Sequence, residues 1–300
     1  MALKNFDELV AAAKANAGKK VVVAAAHDEH ALEAVLKAHA EGLIKYVLVG
    51  HRDEIIAIGK KLGYTVDESA IVDAGEDKEC AFKAVEQIRE GKGDFLMKGK
   101  LETSTILKEV VNKETGIGKG GVMSHMAILQ IPQYHKLLGF TDGGMIPHPT
   151  LEQKVEILKN GLELFRNLGY DCPNVGVIAA AEKVNPKAVE STDGAELKKM
   201  AQEGKFGKCN VEGPISTDLS LSKEAAKIKG YESPVCGEVD ILLTPDMVSG
   251  NFASKCLIVL GGAMMTGIIL GAKVPVVLSS RGSSFEEKYY SLLLCAAQVK

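Results

Sequence analysis

Apolar and polar positions follow two alternating periods along this chain. Short apolar runs at Lys20 to Ala26, Ile44 to Val49, Ser69 to Val72 and Asp94 to Met97 each stop at a polar break. Helical spacing of apolar residues follows each of them, at Asp28 to Ala40, Asp53 to Leu62, Asp77 to Glu90 and Thr103 to Lys113. Runs with no interleaved polar face predict strands buried on both sides. Their alternation with helices predicts a parallel sheet covered by those helices.

Beyond residue 120 the pattern changes. Gly121 to Ile131 and Lys136 to Phe140 are apolar runs with no room for a crossover helix, so they predict an antiparallel arm or hairpin. The segment Met145-Ile146-Pro147-His148-Pro149-Thr150 is a break, and a long amphipathic helix is predicted from about Leu151 to Leu168. Strands are expected again at Val175 to Ala181, Asn210 to Ile215 and Val239 to Thr244. The uncharged stretch from Cys256 to Ala272 reads as a buried, glycine-rich helix, short of the ~18–20 apolar residues of a membrane span. A last strand, Val274 to Leu278, and a helix, Glu286 to Ala297, close the chain. The expected division is one α/β domain on 1–143 plus 273–300 and a second on 144–272, with a cleft between two α/β lobes.

Composition narrows the function classes. Three hundred residues at 46% apolar can build a sizeable core. The net charge of −3 is spread along the chain, which leaves no footprint for nucleic acid or an anionic membrane. Tryptophan is absent and aromatics are 5%, which argues against a stacking platform for single strands. Cysteines at 80, 172, 209, 236, 256 and 295 form no CxxC pair and no zinc spacing with histidine, so no metal site is expected. They read as thiols in a reducing cytosol, and the polar start of the chain does not read as a signal peptide.

Candidate chemistry gathers at strand-to-helix turns. Val274-Pro275-Val276-Val277-Leu278 ends abruptly at Ser279-Ser280-Arg281-Gly282, before a predicted helix; an arginine beside a helix N-terminus suits an anion. Ser283 with Glu286 and Ser284 with Glu287 are capping boxes, so Glu287 is either a cap or a working carboxylate. Met97-Lys98-Gly99-Lys100 also leaves a strand and enters a helix, with Thr103 or Ser104 as the N-cap; the two lysines suit a phosphate or a solvated turn. Ser124-His125 sits in an apolar run, and Asp142-Gly143-Gly144 reads as a turn. Val211 to Asp218 and Leu243 to Asn251, with Asp246 and Asn251, are further turns before helices. Gly116-Ile117-Gly118-Lys119-Gly120-Gly121 matches G-x-G-x-x-G, but a helix precedes it and a strand follows, so it reads as a connection and not a dinucleotide site.

Taken in order, these pieces resemble the phosphate acetyl/butyryl transferase family along nearly the whole chain, closest to its phosphate butyryltransferase branch. The matching segments are Met97-Lys98-Gly99 with Thr103 and Ser104, Ser124-His125, Tyr134-His135-Lys136, Thr141-Asp142, Glu182-Lys183-Val184-Asn185-Pro186, Gly213-Pro214 with Asp218, Pro245-Asp246 with Gly250-Asn251, and Ser279-Ser280-Arg281. The resemblance implies a two-domain α/β fold like that of isocitrate and isopropylmalate dehydrogenases, with the site in the interdomain cleft. It implies reversible acyl transfer between coenzyme A and inorganic phosphate, through homodimers or higher oligomers, with no metal or nicotinamide required. Ser280 and Arg281 match a catalytic pair, and the family's catalytic aspartate falls on Glu287, one methylene longer. Lys98, Lys100, Thr103, Ser124, His125, Asp246 and Asn251 are the expected coenzyme A and phosphate contacts. Acetyl transfer is the alternative reading. A nicotinamide-dependent dehydrogenase on the related fold would want a metal-binding aspartate cluster and an arginine-rich substrate helix, and neither is visible.

Overall fold

The computed structural model describes residues 2–279 and 283–300. They form two compact units. One comprises Asp7–Gly121 and Thr266–Lys300; the other comprises the first six residues and Val122–Met265. We call them the flanking and the central unit.

The flanking unit opens with α1 (Phe6–Ala15), β1 (Lys19–Ala24), α2 (Glu29–Ala40), β2 (Ile44–Gly50), α3 (Arg52–Lys61), β3 (Ile71–Asp73), α4 (Asp77–Arg89), β4 (Phe95–Lys98) and α5 (Thr103–Val110). β1 lies between β2 and β4, and β2 pairs onward with β3, all in parallel. The unbroken run Val21 to Ala24 is fully buried, as a strand covered on both faces must be. Asp28 caps α2, its carboxylate accepting from the Ala31 N–H at 2.7 Å. Leu32, Val35 and Leu36 then recur at helical spacing on the buried face. Each such side chain contributes about 1.5–3 kcal/mol when fully buried.

The central unit continues with β5 (Ser124–Gln130), β6 (Leu138–Thr141), α6 (Leu151–Asn167), β7 (Asn174–Ile178), α7 (Val189–Gln202), β8 (Asn210–Ile215), α8 (Thr217–Leu221), α9 (Lys223–Lys229), β9 (Ile241–Leu243) and α10 (Met247–Val259). β5 and β6 pair antiparallel, as the two closely spaced apolar runs require. The order then runs β6-β9-β7-β8 with every pair parallel. Leu129, Leu138, Val239 and Leu242 pack together in its core. Thr150 and Gln153 form a reciprocal capping box at the start of α6. Two buried ion pairs tie the unit: Lys136 to Asp240 at 2.6 Å and Lys154 to Asp193 at 2.7 Å. Burial nevertheless holds the Asp240 carboxyl above its usual range, outweighing the Lys136 ammonium and the Asn174 N–H. The first residues join this unit too, with the Leu3 carbonyl accepting from the Leu137 N–H at 2.9 Å.

The chain returns through β10 (Met264–Leu270), β11 (Val276–Val277) and α11 (Phe285–Gln298). β11 pairs in parallel with β4 and antiparallel with β10. Here one expectation fails. The stretch from Cys256 to Ala272 is not one buried helix: α10 ends within it, Gly262 turns the chain at φ 65°, and β10 follows. The glycine pair at 261–262 supplies the break that a helix interior would not tolerate, and Thr266, Ile268 and Ile269 favour the strand. The outer face of α10 is exposed rather than buried, with Phe252 at 69% and Leu260 at 84%. No described helix is long and apolar enough to cross a membrane.

Candidate active site

The carboxyl ends of β1, β2 and β4 open on a cleft of about 730 Å³ within the flanking unit. Its floor is the turn after β4. Gly99 and Lys100 donate backbone N–H groups to the carbonyls of Ala24 and Ala25 at 2.8 and 2.9 Å. Ala25 holds a left-handed φ of 55°, and only a glycine fits opposite it, because a Cβ on Gly99 would overlap the Ala25 carbonyl. Lys98 is buried in this turn, its ammonium donating to the carbonyls of Gly99 and Leu101 at 3.2 and 3.1 Å. Lys100 and Thr103 are exposed, and Lys100 lines the cleft. The N-cap of α5 is Glu102, not Thr103 or Ser104, and its side chain makes no cap hydrogen bond. The first turn of α5 therefore presents backbone N–H groups uncapped by a side chain, a setting that suits an anion.

A further part of the lining comes from α11. Lys288 lines the cleft and donates to the buried Ser279 hydroxyl at 3.0 Å, tying α11 to the end of β11. Ser284 is the N-cap of α11 and accepts from the Glu287 backbone N–H at 3.2 Å. Glu287 itself is half-buried at the third position of the helix. Ser280 and Arg281 lie outside the described residues.

Ser124, His125, Asp246 and Asn251 belong to the central unit. Asp142 organises them. Its buried carboxylate accepts from the backbone N–H groups of His125, Gly144, Met145 and Ile146 at 2.9–3.2 Å. The Asn251 amide donates to the Gly143 carbonyl at 3.2 Å, and a Cβ on Gly250 would press on the Asp142 carbonyl at 3.1 Å. Asp246 caps α10, accepting from the Ser249 N–H and hydroxyl at 2.8 and 2.7 Å, which hold its carboxyl below the usual range. The Ser124 hydroxyl is buried and accepts from the Asn160 amide at 3.0 Å. Burial pushes the His125 imidazole pKa down, so the ring is neutral near pH 7. At the ends of β7 and β8, Ser216 donates to Glu182, and Lys229 pairs with Asp218 at 3.0 Å. The Ser216 hydroxyl and the Lys229 ammonium bring Asp218 down to about 2.

Several residues in and beside the cleft escaped the sequence reading. Lys288 stands beside Glu287 and was hidden by the capping box. His27 and His51, with Glu54, meet at the ends of β1 and β2, and their rings stack with centroids 4.3 Å apart. Their only signal was position, each following directly on a strand and its short turn.

The phosphate acetyl/butaryl transferase family matches over residues 5–82 and 78–296. The phosphate butyryltransferase of Clostridium acetobutylicum is 40% identical over 98% of each chain. The phosphate acetyltransferase of Thermotoga maritima is 40% identical over 93% of this chain and 95% of its own. A branched-chain phosphotransacylase structure from Enterococcus faecalis superposes with a TM-score of 0.81 at 31% identity, covering 94% of this chain and 99% of the other. With the strand-end turns of Met97 to Thr103 and Thr141 to Gly144 in place, these matches establish that the chain belongs to the phosphate acetyl/butyryl transferase family.

Proposed function

We propose that this chain is a phosphate acyltransferase. It moves a short acyl group, butyryl or one close to it, reversibly between coenzyme A and inorganic phosphate, with acetyl transfer as the alternative. The observation that carries this reading is the end-to-end likeness to a phosphate butyryltransferase, 40% identical over 98% of both chains. The cleft supports it: an exposed Lys100 and a helix start uncapped by side chain suit a phosphate.

In the direction that makes acyl-CoA, the thiol of coenzyme A loses its proton to Glu287. A free thiol has a pKa of about 8.5, so a nearby base raises the reactive thiolate fraction at pH 7. The sulfur attacks the carbonyl carbon of the acyl phosphate, the carbon–sulfur bond forms, and the carbon–oxygen bond to phosphate breaks with the electron pair leaving on phosphate. Arg281 and Ser280 donate to the developing negative charge. Lys98 holds the turn that carries Lys100 and Thr103. Ser124, His125, Asp246 and Asn251 serve the coenzyme A and phosphate end of the reaction. No cofactor enters these steps.

The enzyme works in the cytoplasm as a homodimer. Val248, Phe252, Val259 and Leu260 make an exposed apolar stripe along and just past α10, and a second copy covers it. The test of the activity is thiol release from acetyl-, propionyl-, butyryl- and isobutyryl-CoA, with and without phosphate. Phosphate-dependent release, greatest with a four-carbon donor, is expected. Absence of phosphate-dependent turnover with every donor overturns the reading.

A further inference from the structure

The lining of the cleft sets Asp28, Glu29, Glu54, Asp77 and Glu102 against Lys98, Lys100 and Lys288. Among the lining residues, His27 and Glu54 meet His51, with one ligand atom of each within 4.8 Å of the others.

The hydrogen bonds around His51 define what this trio wants. Its Nε2 faces the Gly75 carbonyl, which only accepts, so Nε2 carries the hydrogen. That leaves the Nδ1 lone pair 2.8 Å from a Glu54 carboxylate oxygen. Two electron-rich atoms at that distance share a positive centre, which either a proton on the ring or a metal ion supplies. An imidazole whose second N–H is fixed on a backbone carbonyl is also the usual arrangement of a metal-bound histidine. His27 is buried and stacked on the His51 ring at an interplanar angle of 28°, and its Nδ1 accepts a long bond from the His51 backbone N–H at 3.4 Å, which a metal ion must displace if it binds that nitrogen. Gly50 makes room for it, since a Cβ there would stand 2.7 Å from His27 Nδ1.

We propose that His27, His51 and Glu54 form a binding site for a divalent transition metal ion of zinc type, at the edge of the cleft. Two imidazoles and one carboxylate are a donor set that zinc accepts, with a fourth position left for water. Donors around a tetrahedral ion at ~2.0–2.2 Å stand about 3.4 Å apart. The ion therefore widens the His51–Glu54 pair and draws in the most distant donor. Glu54 is exposed and His51 half-exposed, so both side chains can make that adjustment. The site lies outside the residues that carry acyl transfer, and it stands whether or not that reading does.

Titration of the metal-stripped full chain with zinc ions, followed by calorimetry, tests the site. One equivalent is expected to bind, and His51→Ala and Glu54→Gln are each expected to weaken it at least tenfold, with unchanged circular dichroism. Glu54 is exposed, so its variant keeps the test valid if the histidine variant folds poorly. Cobalt ions are expected to give visible ligand-field bands without a thiolate charge-transfer band, which separates this site from the six cysteines. Zinc binding that both variants leave intact, a thiolate band at the first equivalent, or no binding, leaving a proton as the positive centre, each overturns the proposal.

Discussion

Gly99 faces Ala25 so closely that a Cβ on Gly99 would overlap the Ala25 carbonyl oxygen and stand 2.9 Å from its carbonyl carbon. The obstacle is backbone, which cannot swing aside as a side chain does. Gly99→Ala must therefore separate the turn after β4 from the end of β1 and break the bonds from Gly99 and Lys100 to Ala24 and Ala25. A loss of about 2–4 kcal/mol is expected, in the range of strained or overpacked sites. Thermal melting reads the stability. Phosphate-dependent thiol release, normalised to folded protein, is expected to fall more than tenfold because Lys100 moves with the turn.

Asp142 is the equivalent organiser of the central unit. Four backbone N–H groups converge on its carboxylate, and hydrogen bonds to a charged acceptor contribute about 1.5–3 kcal/mol each. Asp142→Asn keeps the shape but removes the charge and points an amide N–H₂ at donors. Destabilisation on the order of 3 kcal/mol is expected from urea unfolding. A variant as stable as the parent would show that this carboxylate does not order the loop.

The strand and helix order was legible because buried parallel strands read as unbroken apolar runs, and Val21 to Ala24 or Phe95 to Met97 announce themselves that way. The run from Cys256 to Ala272 misled for the same reason. Without a polar break, only the glycine pair marked where α10 stops and β10 begins. The turns of the candidate site were legible as types, since Gly99, Asp142 and Ser284 stand at strand ends or helix starts. What they touch was not. Lys98 turns inward to carbonyls, Asp246 is a cap, and Asp142 gathers four amides, none of which spacing reveals. The meeting of His27 and His51 requires the parallel register that sets Ala24 opposite Val49, which is a property of the sheet and not of either segment.

The half-buried His125 ring, whose Nδ1 is fully buried, gives a pH dependence whose sign is fixed. Burial lowers its folded pKa below the unfolded value of about 6.5, and the Asp142 charge only partly opposes this. Below pH 6.5 the unfolded chain binds the extra proton and the folded chain does not, so stability is full above that value and falls as the solution is acidified. Its Nδ1 is buried with no hydrogen-bond partner among the described residues, so a proton there finds no acceptor. The melting temperature is expected to drop between about pH 7 and pH 5, and His125→Asn is expected to shrink that drop. An equal drop in the variant would assign the effect to other groups.

The apolar stripe on α10 predicts the assembly. Val248, Phe252, Val259 and Leu260 are 64%, 69%, 79% and 84% exposed, a large cost for an isolated chain in water. Light scattering during gel filtration is expected to give twice the 31.9 kDa chain mass for the parent. Phe252→Asp is expected to give the chain mass itself, with circular dichroism unchanged. A parent that runs at the chain mass refutes a dimer through this face.

Glu287 is where cap and base can be separated. The Ser284 hydroxyl accepts from the Glu287 backbone N–H, so Glu287→Gln leaves that bond in place and removes only the carboxylate charge. At the third position of α11 that charge stabilises the helix start by about 0.3–1 kcal/mol. If Glu287 takes the thiol proton, the rate per folded molecule is expected to fall by about 10²–10⁴ while the melt barely moves. Ser284→Ala provides the converse. It loses a cap worth about 1 kcal/mol and leaves the carboxylate, so stability drops and turnover holds. Should the glutamine variant lose stability and keep its rate, the carboxylate is a cap and the base is another residue.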